Sequence, residues 1–228
     1  MARTRYPIVL CFWATVIATG AGRAAVAEQP LPFAPDLAQS GWSTQSYPGI
    51  SAAAFSVDRD GVLHVSADGA AGLLWRPIAG PGRNARAARW SWRVEQGVVP
   101  TDLSKRGADD RALGLYFIFG ANSDAATGPM RLLGSRSVTA LVYVFGGNEP
   151  PGSLVVSPHM KERGKFIVLR PADAPVRTWF DESVDLRRDY ARAFSRPLPL
   201  LLGVAVVSDS DDTGGRNRAS LRDLVLVD

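Results

Sequence analysis

The feature that most constrains the fold of this chain is an unbroken apolar run near its C-terminus. It spans Leu200 to Val207 and is followed by an acidic loop, Ser208 to Gly215, and by a second apolar stretch, Leu221 to Val227. An uninterrupted Val-rich run bounded by Pro199 and by Gly and Asp is typical of a strand that is covered on both faces. The sequence therefore predicts a buried strand, a charged loop and a closing strand.

The N-terminus has the order of a secretory signal peptide. Two arginines precede an apolar segment from Tyr6 to Thr19, and small residues ending in Ala25-Val26-Ala27 follow. The apolar segment is shorter than the roughly 20 residues that span a bilayer, so cleavage before Glu28 is favoured over a membrane anchor. We expect residues 1–27 to be removed and the mature protein to be periplasmic or secreted, with no integral membrane span.

Cleavage changes what the composition implies. The full chain has a net charge of +4, and the segment to be removed holds three arginines and no acidic residue. The mature protein is therefore close to neutral, and neither nucleic acid nor an acidic surface is indicated as a partner. The single cysteine, Cys11, leaves with the signal. Disulfides, a cysteine nucleophile and cysteine metal ligands are thus excluded from the mature protein.

Between its two ends the chain has the pattern of many short strands. The clearest is the alternation of Trp90, Trp92 and Val94 with polar residues, which predicts one buried face and one wet face. One amphipathic helix is predicted over Asp185 to Ser195, where apolar residues recur every four positions. Further strands are predicted in a hairpin over residues 53–65 and at residues 72–78, 112–119, 138–145, 154–156, 166–169 and 176–180.

This pattern predicts an all-β fold, namely an antiparallel jelly-roll-like β-sandwich with one short helix late in the chain. We expect three segments: the signal peptide at 1–27, an extended lead-in at 28–40 and a single sandwich domain at 41–228. With 46% hydrophobic residues, the mature length is sufficient for one large domain that is held by its core alone.

The acidic loop is a candidate ligand or metal site through Asp209, Asp211 and Asp212. It departs from an EF-hand, because Ser220 stands where the bidentate Glu is required. A looser calcium site built from the three carboxylates stays open, since hard cations accept oxygen ligands in flexible geometry. The alternative is a solvated loop whose carboxylates accept hydrogen bonds from nearby backbone N–H groups, with Arg216 and Arg218 supplying positive charge.

A second acidic pair, Asp109 and Asp110, precedes the strand predicted at 112–119. If Asp110 lies at the same end of the sandwich as Asp211 or Asp212, two carboxylates at glycosidase separation are conceivable. The default is a salt bridge to a neighbouring arginine, Arg111 or Arg106. No nucleophile elbow accompanies the histidines, so hydrolysis by a serine triad is not indicated.

Among the tryptophans, Trp179 is the best candidate for a ring on which a sugar could stack. It follows a turn and lies next to Asp181 and Glu182, whereas Trp90 and Trp92 share the buried face of one strand. Core packing is the competing interpretation, because a tryptophan buries a large apolar area.

Four stretches carry a resemblance to a known family. They are Arg106 to Arg111 (RGADDR), Leu141 to Gly146 (LVYVFG), Asp189 to Phe194 (DYARAF) and Gly203 to Thr213 (GVAVVSDSDDT). These stretches resemble the motifs of a secreted bacterial family catalogued as domain of unknown function 3047. The resemblance implies a β-sandwich and an exported protein, and it brings no established activity.

The sequence is most consistent with an exported, non-catalytic module that binds a saccharide or another envelope ligand. Two alternatives stay open: a carboxylate-dependent glycoside hydrolase and an envelope structural or interaction protein. The candidate ligand-binding residues are Asp109, Asp110, Trp179, Asp209, Asp211 and Asp212.

Overall fold

A computed structural model describes residues 27–121 and 128–228 of the chain. The predicted signal peptide, apart from Ala27, and the loop residue Asn122 lie outside the described residues. The strands are β1 (Glu28–Pro30), β2 (Ser43–Gln45), β3 (Ser51–Ala52), β4 (Ala54–Val57), β5 (Leu63–Asp68), β6 (Ala70–Pro77), β7 (Ala87–Gln96), β8 (Arg111–Gly120), β9 (Thr139–Phe145), β10 (Leu154–Ser157), β11 (Lys161–Arg170), β12 (Phe180–Asp185), β13 (Leu200–Asp209) and β14 (Arg216–Val227). The helices are α1 (Pro129–Gly134), α2 (Leu186–Phe194) and a 3₁₀ helix (Gly80–Asn84).

These strands form two sheets packed face to face, which confirms the predicted all-β sandwich. The six-stranded sheet has the order β12-β7-β14-β5-β4, with β1 pairing on β14. The eight-stranded sheet has the order β10-β11-β9-β8-β13-β6-β2, with β3 pairing on β6. Most pairings are antiparallel, but β9 and β11 run parallel, as do β3 and β6. No helix in the described residues is long and apolar enough to cross a membrane.

The core between the sheets is built around aromatic side chains. Trp90 and Trp92 are almost fully buried, as their alternation on β7 predicts. The Trp90 ring lies 5.4 Å from that of Trp92 and 5.6 Å from that of Tyr143 on the opposite sheet. Contacts of this kind add to the area-based gain from burial, so these rings hold the two layers together.

The two sheets differ in their outward faces. Strand β13 sends Val204 and Val206 into the core between the sheets, whereas Leu202, Ala205 and Val207 join a second apolar cluster on the other side of the eight-stranded sheet. The prediction of a strand covered on both faces is therefore confirmed. The six-stranded sheet has polar residues on its outward face, and the groove described below lies there.

The predicted helix at 185–195 is confirmed as α2. Asp185 caps it by accepting a hydrogen bond from the Arg188 backbone N–H at 2.9 Å, and Ser195 ends it in the left-handed conformation. The inward residue Asp189 accepts a hydrogen bond of 2.9 Å from the Tyr143 hydroxyl. Burial, followed by the charge of Asp189, raises the pKa of Tyr143 well above its usual value.

Three sequence interpretations differ from the structure. Residues 176–179 are not a strand, because Arg177 has a positive φ of 62° and β12 begins only at Phe180. The loop before β9 contains the short helix α1, which was not predicted. The lead-in at 28–40 is part of the sandwich, since Leu31 is fully buried and the Trp42 indole N–H donates to the Pro32 carbonyl at 3.0 Å.

Candidate functional site

The five predicted aspartates come together at one end of the sandwich. Strand β8 begins there and strand β13 ends there, and their antiparallel register sets Arg111 opposite Asp209. We call this group the rim cluster; it consists of Asp109, Asp110, Arg111, Asp209, Asp211 and Asp212. The proposed coincidence of Asp110 with the acidic loop is thus observed in the structure.

Asp110 is a structural member of the rim cluster. It is fully buried, and one carboxylate oxygen accepts from the Asp212 backbone N–H at 3.2 Å. The other oxygen accepts from the Thr213 backbone N–H at 2.8 Å and from its hydroxyl at 2.6 Å. Both oxygens therefore help to fix the acidic loop to the start of β8.

Arg111 is the cation around which the carboxylates are arranged. Its side chain is only 3% exposed and lies 3.4 Å from both Asp109 and Asp209. It also donates to the Tyr116 hydroxyl at 2.9 Å. Burial opposes its charge, yet Tyr116, Asp209 and Asp109 together raise the pKa of Arg111. The predicted ion pair of the acidic residues with Arg111 is therefore present.

The carboxyl groups of the rim cluster differ in protonation. Burial, reinforced by a hydrogen bond that the protonated Asp209 carboxyl donates to Asp211, raises the pKa of Asp209 to about 8 despite the attraction of Arg111. Burial also acts on Asp109, but the hydrogen bond to His159 and the charge of Arg111 outweigh it and lower its pKa. Near neutral pH the cluster thus combines a protonated carboxyl at Asp209 with an ionised one at Asp109.

The carboxylates that lie close enough to share a cation are Asp110, Asp209 and Asp211, with one oxygen of each within 4.8 Å of the others. The sequence had suggested Asp212 as the third ligand, but its side chain is exposed at the edge of the loop. A cation would compete with the hydrogen bonds of Asp110 and with Arg111. Arg111 supplies positive charge at the cluster, whereas the sequence had offered Arg216 and Arg218 as an alternative source.

Arg216 and Arg218 have other partners. Arg216 pairs with Asp68 at 3.0 Å on the surface, and Arg218 donates to the Gln96 amide oxygen at 3.2 Å. The alternative in which these two arginines balance the acidic loop is therefore not what the structure shows. They lie on β14, whereas Arg111 approaches the loop from β8.

Trp179 lies apart from the rim cluster, on the outward face of the six-stranded sheet. Its ring is partly exposed. The guanidinium carbons of Arg93 and Arg222 lie 4.7 and 4.2 Å from the ring centroid. These are cation–π distances. The sixth candidate residue therefore belongs to a different surface from the other five.

That surface contains a groove of about 330 Å³, which we call the outer-face groove. Its polar lining residues include His64, Arg93, Glu95, Arg218 and Ser220. They come from β5, β7 and β14, which are adjacent in the sheet. Strand register sets Ser220 opposite both His64 and Arg93, so one row of side chains crosses the sheet.

The row is joined by hydrogen bonds. His64 contacts Asp58 at 3.0 Å and the Ser220 hydroxyl at 3.1 Å through its two ring nitrogens. The Ser220 hydroxyl donates to Glu95 at 2.9 Å, and the Arg93 Nε donates to the same Glu95 oxygen at 2.6 Å. Through Arg93 the network reaches Trp179, so these contacts connect three strands, β5, β14 and β7, with the segment before β12.

Sequence reasoning missed this network. The period of two on β7 puts Arg93 and Glu95 on a wet face, but it does not show which residues of β14 and β5 lie beside them. That information is in the register, which pairs positions more than 120 residues apart, such as Arg93 with Ser220.

A family model described as "Protein of unknown function (DUF3047)" matches residues 40–225. The chain belongs to this family. The match covers the sandwich from Trp42 through most of β14, so both the rim cluster and the outer-face groove lie within it. No curated protein sequence matches the chain.

Solved structures of low sequence identity align with most of the chain. A thermostable cellulase derived from Cel12A of Rhodothermus marinus has 15% identity and a TM-score of 0.48, with 90% of this chain and all of that chain covered. A family 29 carbohydrate-binding module from Piromyces equi has 10% identity and a TM-score of 0.39, with 89% and 91% covered. The winged bean acidic lectin has 11% identity and a TM-score of 0.41, with 89% and 98% covered.

Proposed function

We propose that this protein is an exported, non-catalytic binding module that holds a saccharide in the outer-face groove. The observation that supports the proposal is the hydrogen-bonded row from His64 through Ser220 and Glu95 to Arg93, with Trp179 at its end. The groove volume of about 330 Å³ falls at the lower end of the range for small-ligand sites.

The groove offers both kinds of hydrogen-bonding partner that a sugar hydroxyl needs. A hydroxyl donates one hydrogen bond and accepts others. The Glu95 carboxylate only accepts, whereas the guanidinium groups of Arg93 and Arg218 only donate. One oxygen of Glu95, Oε2, has no partner among the described residues, although it is itself buried. A ligand hydroxyl or a water that reaches this oxygen would satisfy it.

Trp179 provides apolar surface beside these polar groups. The C–H faces of a pyranose pack against aromatic rings, and a tryptophan presents the largest ring of any side chain. Arg93 and Arg222 lie over the indole, so a sugar would pack on the part of the ring that they leave exposed and would lie close to their donors. The combination favours a ligand that has an apolar ring face and polar edges.

The groove is formed before any ligand arrives. Its residues lie on paired strands, and Glu95 holds Arg93 and Ser220 in place through two hydrogen bonds. Side chains that are already ordered lose little conformational entropy on binding. Extended saccharides carry few groups that can be buried, so a rigid site of this kind is well suited to them.

Calorimetric titration of the mature chain with a panel of neutral and acidic oligosaccharides tests the proposal. We expect at least one to bind, and we expect Trp179→Ala and Arg93→Gln each to weaken that binding about tenfold or more. Arg89→Gln is the matched control, because Arg89 lies on the same strand and pairs with Glu28 outside the groove. Equal affinity for all four proteins would refute the groove as the site.

Glycoside hydrolysis at the rim cluster is a second candidate function. It is favoured by one observation, the raised pKa of Asp209 beside Asp211, since a protonated carboxyl near a second carboxylate is the arrangement of a general acid and its partner. Incubation of the same panel with wild type and Asp209→Asn decides this point. If the wild type hydrolyses a saccharide and Asp209→Asn does not, the protein is an enzyme that uses Asp209. If the wild type hydrolyses none of the panel, the hydrolase hypothesis is rejected.

Export is part of the proposal. Expression of the full chain in a bacterial host should yield periplasmic or secreted protein whose mature N-terminus is Glu28, because residues 1–27 have the order of a signal peptide. Mass spectrometry of the purified protein measures that terminus. Protein that keeps Met1 and stays in the cytoplasm would contradict this part of the proposal.

A further inference from the structure

A second row of side chains crosses the outer-face groove beside the row that contains Ser220. Strand register sets Arg218 on β14 opposite Ser66 on β5 and opposite Gln96 on β7. Residues two apart on a strand point to the same face and lie roughly 7 Å apart. Arg218 therefore follows Ser220 along the outward face, and both residues line the groove together with Ser66.

The carboxylates on either side of the Arg218 row have cationic partners of their own. Glu95 is the one carboxylate among the described residues that line the groove, and it accepts from the Arg93 Nε at 2.6 Å. On the other side of the row, Asp68 pairs with Arg216 at 3.0 Å. Each neighbouring row thus balances its own charge, and neither carboxylate pairs with Arg218.

Arg218 itself has an uncharged partner. Its guanidinium donates to the Gln96 amide oxygen at 3.2 Å. Within the part of the chain that the structure describes, Arg218 forms no ion pair. Another carboxylate, Asp58, contacts His64 at 3.0 Å, but it precedes β5, whereas Arg218 lies opposite Ser66 within that strand. The positive charge of Arg218 is therefore available to a ligand in the groove.

We infer that the outer-face groove selects an acidic saccharide, one whose carboxylate or sulfate group binds Arg218. The inference rests on the proposed function, because it names the class of ligand for the same groove. A guanidinium presents pairs of parallel N–H donors that match two oxygens of one oxyanion. The single hydrogen bond to Gln96 leaves most of the five donors of Arg218 free for such a group. One negative charge on the ligand matches one unpaired cation.

The two rows give the bound saccharide a defined orientation. An oxyanion next to Glu95 would be repelled by that carboxylate, whereas a sugar hydroxyl can donate to it. The hydroxyls of the sugar therefore face the row that contains Glu95 and Ser220, and the acidic group faces Arg218 in the next row. A neutral saccharide would use the first row alone.

Calorimetric titration of the mature chain with matched tetrasaccharides tests the inference. A uronate tetrasaccharide is compared with its carboxyl-reduced form, and a sulfated tetrasaccharide is compared with its desulfated form. We expect the acidic member of at least one pair to bind about fivefold more tightly than its neutral match, because Arg218 is exposed and an exposed ion pair is weak. The pair that shows the preference identifies the group as carboxylate or sulfate.

Arg218→Gln should reduce the ratio of acidic to neutral affinity to about one. Arg216→Gln is the matched control and should keep the wild-type ratio, because Arg216 lies two residues away on the same strand, pairs with Asp68 and does not line the groove. The inference is overturned if wild type binds both members of each pair alike, or if the two variants have the same ratio. In either case, binding of a neutral saccharide leaves the groove standing as a binding site. If no saccharide of any kind binds, the proposed function fails and this inference fails with it.

Discussion

Arg111 determines what the acidic residues of the rim cluster can do. Five aspartates near one another repel unless something positive lies among them. Arg111 meets this need from β8, where it contacts Asp109 and Asp209 and is shielded from water by the Phe166 ring, whose centroid lies 5.1 Å away. The chain therefore balances part of the charge of the cluster from within, and Asp110 and Arg111 serve the structure.

Asp110 offers the sharpest test of that network. Asp110→Asn would turn an amide N–H₂ towards the backbone N–H donors of Asp212 or Thr213, which now point at carboxylate oxygens. We expect the free energy of unfolding to fall by about 2 to 4 kcal/mol, because a buried charge-assisted network is left partly unsatisfied. Urea denaturation measures the change.

Asp212→Asn is the control for that measurement, since the Asp212 side chain is exposed. We expect it to change the free energy of unfolding by less than about 0.5 kcal/mol. If the two variants were equally stable, Asp110 would not be the residue that fixes the acidic loop.

Asp209 gives the stability of the protein a defined pH dependence. Its pKa is about 8 in the folded state and near 3.8 when the chain is unfolded. Between these values the folded state holds a proton that the unfolded state has released, so stability decreases as the pH rises. From pH 5 to pH 7 this group should lower the free energy of unfolding by up to about 1.4 kcal/mol per pH unit.

Asp209→Asn should remove that slope, because asparagine resembles the protonated carboxyl and does not titrate. Asp60→Asn, at an exposed turn, should leave the slope as it is in wild type. Denaturant melts at pH 5, 6 and 7 compare the three proteins. A slope that is the same in wild type and in Asp209→Asn would mean that Asp209 is ionised throughout this range.

At the residue scale, the sequence predicted which acidic residues belong to the rim cluster better than it predicted the residues that they contact. The two acidic groups stand out because they lie next to strongly apolar strands, and the sequence raised the hypothesis that Asp110 lies at the same end of the sandwich as Asp211 or Asp212. Arg111 was named only as a default ion-pair partner, since no pattern separates a buried arginine from an exposed one. Trp179 is partly exposed, and its arginine neighbours come from β7 and β14, which no sequence pattern indicates.

Among the elements, β13 depends most on a single small residue. Gly203 lies beneath the Trp75 ring of the neighbouring strand β6, and a Cβ atom at position 203 would overlap that ring. We expect Gly203→Ala to destabilise the protein by about 3 kcal/mol or more, because the overlap lies in a packed apolar cluster and must displace the indole. Thermal melts by circular dichroism measure the loss.

Gly134→Ala is the matched control, since a Cβ at position 134 meets no atom within 4 Å. Its melting temperature should be close to that of wild type. A Gly203→Ala protein as stable as the control would show that Trp75 does not cover this strand.

Secondary-structure elements were predictable from the sequence where a single pattern of apolar residues dominates. The alternation on β7, the continuous run of β13 and the four-residue spacing of α2 each determine a structure locally. The sequence predicted a strand over residues 176–180 because Val176, Trp179 and Phe180 have high β propensity, but β12 begins only at Phe180. The positive φ at Arg177 breaks the strand, and Val176 is exposed. Propensity does not report such a local turn.

At the scale of the whole molecule, the two sheets differ in the polarity of their outward faces. The eight-stranded sheet is apolar on both faces, and the second cluster on its outer side leaves little room for polar recognition. The six-stranded sheet exposes a polar face, and register brings His64, Ser220 and Arg93 into one row across it. The sequence predicted the sandwich, but not this row, because long-range register is set by the packing of both layers.

The most direct test of the account is to map where a saccharide binds. The oligosaccharide that binds best is titrated into ¹⁵N-labelled mature protein, and the backbone amide shifts are assigned. We predict that the largest changes fall on β5, β7 and β14 around His64, Glu95 and Ser220, and that the indole N–H of Trp179 shifts with them. Shifts confined to the acidic loop at 209–215, with the groove unchanged, would contradict the central claim that the outer-face groove is the binding site.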